Sequence, residues 1–295
     1  MRRMGKCRAY RSNPMDAEPS ATAGAPTAWR QPLLIKASVA CHVGAVVAAA
    51  ALPMEWRWAA GAVALNHLVL AASGLWPRST WLGQNMLRLP AAAAARHEIA
   101  ITFDDGPDPE VTPAVLDILD AHGARATFFC IAEQARRHPA LCREIVHRGH
   151  SVQNHTYRHS HRFSLLGPRG FSKEIGRAQQ TLAEITGQRP GFFRAPAGMR
   201  NPLLAPVLQR LDLKLVSWTR RGYDTVQRRP ARVLEQLTGA LAAGDILLLH
   251  DGHSARTASG RPVVLEVLPA LQRRYEPLGL RAVTLPHAVG IEPAA

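Results

Sequence analysis

The sequence predicts an α/β protein in which about seven parallel strands, alternating with helices, close in a barrel-like manner behind an N-terminal membrane hairpin. Three observations carry this expectation: short β-rich runs separated by helical ones from about residue 78 onward, two apolar stretches of near-membrane length before them, and reactive side chains recurring where the strand runs end. The chain of 295 residues is 47% hydrophobic and 20% charged, close enough to globular averages to exclude a disordered chain or a coiled coil. Its formal charge of +14 raises nucleic acid and an anionic membrane as partners. No run of five like charges and no basic stripe interleaved with aromatics occurs, which argues against nucleic acid, whereas seven basic and two acidic side chains within residues 1–36 favour membrane lipid.

Taken in order, residues 1–32 read as a basic, flexible segment rich in Pro, Ala, Ser and Thr, residues 33–76 as two membrane helices, and residues 77–295 as a catalytic domain. The apolar stretches 33–52 and 58–75 are parted by Pro53, Glu55 and Arg57, and each carries polar flaws: Lys36 and His42 in the first, Asn66 and His67 in the second. By the positive-inside rule the basic start stays in the cytoplasm; two spans return the catalytic domain to that side, and a single span would face it outward. Strand runs follow at 98–105, 126–131, 150–155, 191–196, 213–219, 245–251 and 280–285. Helical patterns lie between them at 112–122, 139–148, 173–186, 203–210, 231–242 and 263–275. Cys7, Cys41, Cys130 and Cys142 show neither a CxxC nor a zinc-ribbon spacing and read as free thiols.

In such folds functional residues gather at the C-terminal strand ends. Here the runs end in Asp104-Asp105-Gly106, in His155 with His159 beyond it, in Arg194 to Gly198, in Trp218 to Asp224, and in His250-Asp251. If the segment after residue 154 turns helical, His155 and His159 share one face, and a carboxylate from another strand end completes a His₂Asp set with an open position, as catalytic zinc sites have. His161 is the competing ligand. Successive side chains in a strand diverge, so of Asp104 and Asp105 one can bind metal while the other serves as general base; either could instead cap the turn that follows.

Together, Thr102-Phe103-Asp104-Asp105-Gly106, His155-Thr156-x-x-His159, Arg194-x-Pro196-x-Gly198 and Leu248-x-His250 resemble the motifs of the polysaccharide deacetylase family, also called the NodB homology domain or carbohydrate esterase family 4, over about residues 96–288. The resemblance implies a distorted (β/α) barrel that hydrolyses the N-acetyl group of an amino sugar with Zn²⁺ or another divalent ion such as Co²⁺. It implies Asp105, His155 and His159 as ligands, Asp104 as general base, His250 as general acid, Arg194 as the cation that keeps Asp104 ionised, and the backbone N–H of Ala197 as an oxyanion donor. Pro196, Trp218 and Leu248 would line the substrate site.

Two departures stand out. Ala197 occupies a position where many relatives carry an aromatic, and the fourth motif keeps Asp224 but has Arg221 and Thr225 where relatives carry Asp and Trp. Asp224 is expected to pair with Arg194, or else to hold Arg220 or Arg221. The function expected is therefore removal of N-acetyl groups from an amino-sugar glycan or glycolipid at the membrane. The alternatives are deformylation or deacylation of a lipid-linked sugar, and a non-catalytic membrane-anchored glycan-binding protein. The loop at 253–262 is expected to shape the groove or merely to connect.

Overall fold

A computed structural model describes residues 30–291. Most of the basic segment expected over 1–32, Cys7 included, lies outside the described residues. Helices α1 (Leu33–Ala51) and α2 (Trp56–Leu75) are joined by the single turn Pro53–Glu55. At 19 and 20 residues and ~1.5 Å per residue, each reaches about 30 Å, long enough to cross a bilayer's hydrocarbon core. Of the polar residues that interrupt the two apolar stretches, His42, Asn66 and His67 meet the facing helix. Asn66 donates to Ser38 Oγ at 2.9 Å, and the Nε2 atoms of His42 and His67 stand 3.2 Å apart. Val39, Val46, Leu65 and Leu68 are left exposed around the outside.

The remainder is short α3 (Ala91–Ala95) and then β1 (Glu98–Asp104), α4 (Val111–Ala121), β2 (Ala126–Cys130), α5 (Ala132–Arg137), α6 (Pro139–His147), β3 (Ser151–Asn154), α7 (Pro168–Thr186), β4 (Phe192–Phe193) and α8 (Leu204–Arg210). After these come β5 (Lys214–Leu215), β6 (Arg220–Arg221), α9 (Pro230–Thr238), β7 (Ile246–His250), α10 (Val263–Tyr275), β8 (Arg281–Ala282) and α11 (Leu285–Ala288). The main sheet runs β5-β4-β3-β2-β1-β7-β6 with every pairing parallel, the curled sheet of a (β/α) half-barrel.

Two strands differ from the sequence expectation. The run at 213–219 is not one strand: the chain pairs with β4 at Lys214–Leu215 and with β7 only at Arg220–Arg221. Between them the carbonyls of Val216 and Ser217 accept from the Arg194 guanidinium, so they are spent on a side chain instead of a ladder. The run at 280–285 forms only Arg281–Ala282, which pairs beside the first two residues of β1, because Thr284 already caps α11.

Alternation along β1 sets up everything above it. Ile99, Ile101 and Phe103 face the layer of α4 and α10, packing with Leu116, Val264 and Leu268. Ala100 faces the other way and joins Phe129, Phe192, Val216 and Ile246 to plug the base of the curl. Thr102 and Asp104 share that inward parity, so the same period of two that buries Ala100 carries a hydroxyl and a carboxylate up the inside.

Candidate active site

Directly above the apolar plug lies Arg194, fully buried. Its Nη1 donates to Thr102 Oγ1 at 2.8 Å and to Asp104 Oδ1 at 2.7 Å, while Nε and Nη2 donate to the carbonyls of Val216 at 3.3 Å and Ser217 at 3.0 Å. The guanidinium carbon stands 4.1 Å from the centre of the Phe129 ring. A buried cation is tolerated when its donors are spent and a counter-charge is adjacent. Asp104 thus meets the cation that the sequence reading gives it.

Asp105 has a left-handed backbone, φ 74°, which turns its carboxylate away from that of Asp104. Its Oδ1 lies 3.3 Å from Nε2 of His155 and 3.3 Å from Nε2 of His159. Burial opposes ionisation of Asp105, but the imidazoles of His155 and His253 beside it, together with the charges of His155 and His159, hold it well below the usual carboxylate range. There is room for this loop only because residue 252 is glycine: a Cβ there would stand 2.6 Å from the Asp105 carbonyl.

His155 Nδ1 is 2.8 Å from the carbonyl of Arg194. A carbonyl only accepts, so Nδ1 carries a proton and Nε2 is the nitrogen turned toward Asp105; burial opposes charge on the ring, but Asp104 and Asp105 beside it raise its pKa. His159 is pushed down to about 4, mainly by burial and then by His155, and so is neutral near pH 7 with an available lone pair. The two histidines do not converge through a helical turn as expected. Thr156 (φ 68°) and His159 (φ 53°) are left-handed, and Thr156 Oγ1 accepts from the His159 amide at 2.9 Å, so a kinked loop brings the rings together.

The ligand atoms of Asp105, His155 and His159 all lie within 4.8 Å of one another, and Asp105 Oδ1 is buried with no hydrogen-bond partner among the described residues. Tetrahedral N/O ligation at ~2.0–2.2 Å separates neighbouring donors by roughly 3.3–3.5 Å, so the spacing and the unsatisfied oxygen both fit a divalent cation. The His161 ring is 6.5 Å from that of His159 and stays outside this group.

Asp224 pairs with neither Arg194 nor the surface arginines, contrary to expectation. One of its oxygens accepts from the His250 amide at 2.7 Å and the other from His250 Nδ1 at 2.9 Å. Arg194 directs its hydrogen bonds to Thr102, Asp104 and two carbonyls, Arg220 is bound to Asp245 at 2.9 Å, and Arg221 lies near the rings of Trp218 and Tyr223. Burial disfavours charge on His250, yet Asp224 outweighs it and raises the imidazole's pKa. Leu248 is buried on the same strand, in register with Thr102. Trp218 is buried below the Pro196–Gly198 turn, where Ala197 is exposed at φ 52°.

Two acid–base groups received no role in the sequence reading. His253 Nδ1 stands 3.4 Å from Asp105 Oδ2 with its side chain 68% exposed, so the loop at 253–262 does reach the site. Asp251 is buried behind Gly106, takes a hydrogen bond from Thr112 Oγ1, and is pushed up to about 7 by burial. Both lie within three residues of His250, and that adjacency is the signal that would have found them.

The model of a family described as polysaccharide deacetylase matches residues 91–216. The chain is 37% identical over 189 residues to a chitooligosaccharide deacetylase of Azorhizobium caulinodans, covering 60% of this chain and 89% of that protein. It is 30% identical to a peptidoglycan-N-acetylglucosamine deacetylase of Bacillus cereus, covering 64% and 67%. Among solved structures, a peptidoglycan N-acetylglucosamine deacetylase superposes with a TM-score of 0.64 at 26% identity, covering 72% of this chain and 95% of that one. A family 4 carbohydrate esterase from Streptomyces lividans in complex with acetate gives 0.57 at 30% identity, covering 63% and 91%. A family 4 pseudoenzyme from Bacillus anthracis also superposes, at 0.62 and 18% identity over 72% of this chain and 70% of that one, so the fold alone does not specify turnover.

Proposed function

The chain belongs to the polysaccharide deacetylase family, and from that premise we propose that it is a membrane-attached, zinc-dependent N-deacetylase acting on an N-acetylated amino-sugar glycan. The observation that carries this reading is the orphaned, buried Oδ1 of Asp105, which the Nε2 atoms of two imidazoles face at 3.3 Å. The relatives' names supply the substrate class: they act on chitooligosaccharides or on N-acetylglucosamine of peptidoglycan.

In this reading Asp105, His155 and His159 would hold Zn²⁺, or Co²⁺ in its place, and the bound ion would supply Lewis-acid polarisation of the acyl carbonyl. Asp104, hydrogen-bonded to Arg194, takes a proton from the attacking water. The water oxygen bonds to the acyl carbon, the C–N bond breaks, and His250 gives its proton to the departing nitrogen, leaving acetate and a free amine. The Asp224 carboxylate favours the protonated form of His250 that this step requires. Ala197 offers its amide to the developing oxyanion, with Pro196, Trp218 and Leu248 around the acyl group. An intact set of this kind supports an enzyme over a silent glycan binder. The altered fourth motif, Arg221 and Thr225, supports keeping formyl beside acetyl as the group removed.

Membrane attachment rests on α1 and α2, and the cytoplasmic side on the seven basic residues within 1–36. The test is acyl release, scoring acetate and formate together, by detergent-purified protein on N-acetylglucosamine oligomers. Chelation should abolish release and Zn²⁺ restore it. Asp105→Ala and His155→Ala should lose bound zinc and hydrolysis together; hydrolysis by a metal-free Asp105→Ala preparation at the wild-type rate would overturn the mechanism.

A further inference from the structure

The last turn of α2 does not hang from the domain on a linker. It is built into the loop that leaves the candidate active site. The Arg200 amide donates to the carbonyl of Gly74 at 3.0 Å, and residue 74 must be glycine because any Cβ would collide with the Arg200 carbonyl. Two residues beyond the helix, Pro77 lies against Gly198 and accepts at its carbonyl from Ser217 Oγ at 2.7 Å and from Asn85 at 3.0 Å. The buried Arg200 guanidinium donates to the Ser79 carbonyl. The same loop begins at Arg194, whose carbonyl holds His155, and passes through the exposed Ala197.

Given the deacetylase reading above, on which this rests, we propose that the substrate is a membrane-held glycolipid: an N-acylated amino sugar taken from the headgroup layer by an active-site mouth that α2 holds against the bilayer. If Leu75 ends a membrane helix, Pro77 is at the membrane surface and the catalytic rim is packed on it, with no slack to carry the mouth toward a polymer far from the membrane. A stem that served only as a tether would need no such face, and a flexible linker of the usual Gly/Ser type would suffice. The surroundings match. Trp76 and Trp81 are exposed beside the junction, Leu165 and Leu203 are exposed on the rim, and Asn201 ties the two rim segments together by donating to the carbonyls of Ser164 and Leu166. Aromatic and apolar side chains of this kind seat at the headgroup level. Arg78, next to Pro77 at the junction, and Arg158 and Arg162, on the loop that carries His159 and Leu165, are exposed and supply cations for a phosphate-bearing headgroup.

The experiment uses the full, zinc-loaded chain in vesicles of phosphatidylethanolamine and phosphatidylglycerol. Two probes are compared: a soluble N-acetylglucosamine oligomer, and N-acetylglucosamine joined through a phosphodiester to a long-chain alcohol in the same vesicles. We expect kcat/KM for the lipid-linked probe to exceed that of the soluble one by about tenfold or more, since membrane confinement raises effective concentration. The double variant Leu165→Asp/Leu203→Asp touches no group placed in the chemistry. It should lower turnover of the lipid-linked probe by about tenfold and leave the soluble probe unchanged. Equal or better turnover of the soluble oligomer, or a loss in the variant that is the same for both probes, overturns the proposal while leaving the deacetylase reading intact. No acyl release from either probe by zinc-loaded protein overturns the deacetylase reading, and this one with it.

Discussion

Asp224 and His250 form the pair in which a single charge decides the chemistry. Because Asp224 raises the imidazole's pKa against the opposing effect of burial, His250 remains protonated to higher pH than a solvated histidine. An acid of that kind is lost as pH rises through its folded-state pKa, so the alkaline limb of kcat against pH reports it. Asp224→Asn removes the charge and keeps an acceptor for the His250 amide; the alkaline limb should move to lower pH with the acid limb in place. His250→Ala should cost about 10²–10⁴ in kcat with zinc still bound. An unchanged alkaline limb in Asp224→Asn would show that another group donates the proton. At this scale the sequence already displayed Asp104, Asp105, His155, His159, Arg194 and His250, since each sits at a strand end in a short motif. It did not display the Asp224 partnership, because which of three arginines or one histidine meets a carboxylate depends on which donors are spent, and that is settled by contacts such as Arg194 with Thr102, 92 residues apart.

Elements with strong, local signals were legible: β1, β2 and β7 are predominantly apolar runs, broken in β1 by Thr102, because both of their faces are buried. The division between β5 and β6 was not, since a side chain from β4's end competes for the backbone there. Nor was the kink that brings His155 to His159, which two left-handed residues supply without any glycine to announce it. The start of β3 carries a testable consequence. His150 accepts from the Ala126 amide through Nδ1 at 3.1 Å, a bond available only to the neutral ring, and burial followed by the Arg125 charge pushes it down to about 4. The folded-state pKa is thus depressed below the unfolded value near 6.5. As pH falls through that window the unfolded chain binds a proton that the folded chain refuses, and stability is lost, on the order of 2 kcal/mol by pH 4.5. His150→Gln retains an acceptor without titrating. Its unfolding midpoint should decline less between pH 7 and pH 4.5 than that of the parent chain, and parallel declines would remove His150 from the acid response.

At the scale of the whole molecule, the polar flaws in the two apolar stretches change their meaning once the helices are paired. Ser38 with Asn66 and His42 with His67 would be costly if they faced lipid singly, but as a seam they satisfy one another and leave an apolar exterior. That arrangement supports two crossings over one, because a single span would leave the partner residues of the other helix outside the seam. Aromatic side chains sit at both ends of α2, Trp56 and Trp58 at the turn and Trp76 at the domain, separated by the ~30 Å that the helix spans. Two crossings put the turn at Met54 and the catalytic domain on opposite sides of the membrane. Met54 and Ser259 are both exposed, so a cysteine at either reports its own side. With Cys7 and Cys41 replaced by Ala, a membrane-impermeant maleimide added to intact cells should label Met54→Cys at once and Ser259→Cys only after permeabilisation, the order that the positive-inside rule gives for a basic start in the cytoplasm. The reverse order would keep the hairpin and move the catalytic domain outside. Labelling of Ser259→Cys alone, with Met54→Cys protected on both sides, would leave α2 lying in the interface and the rim without its fixed seat on the bilayer.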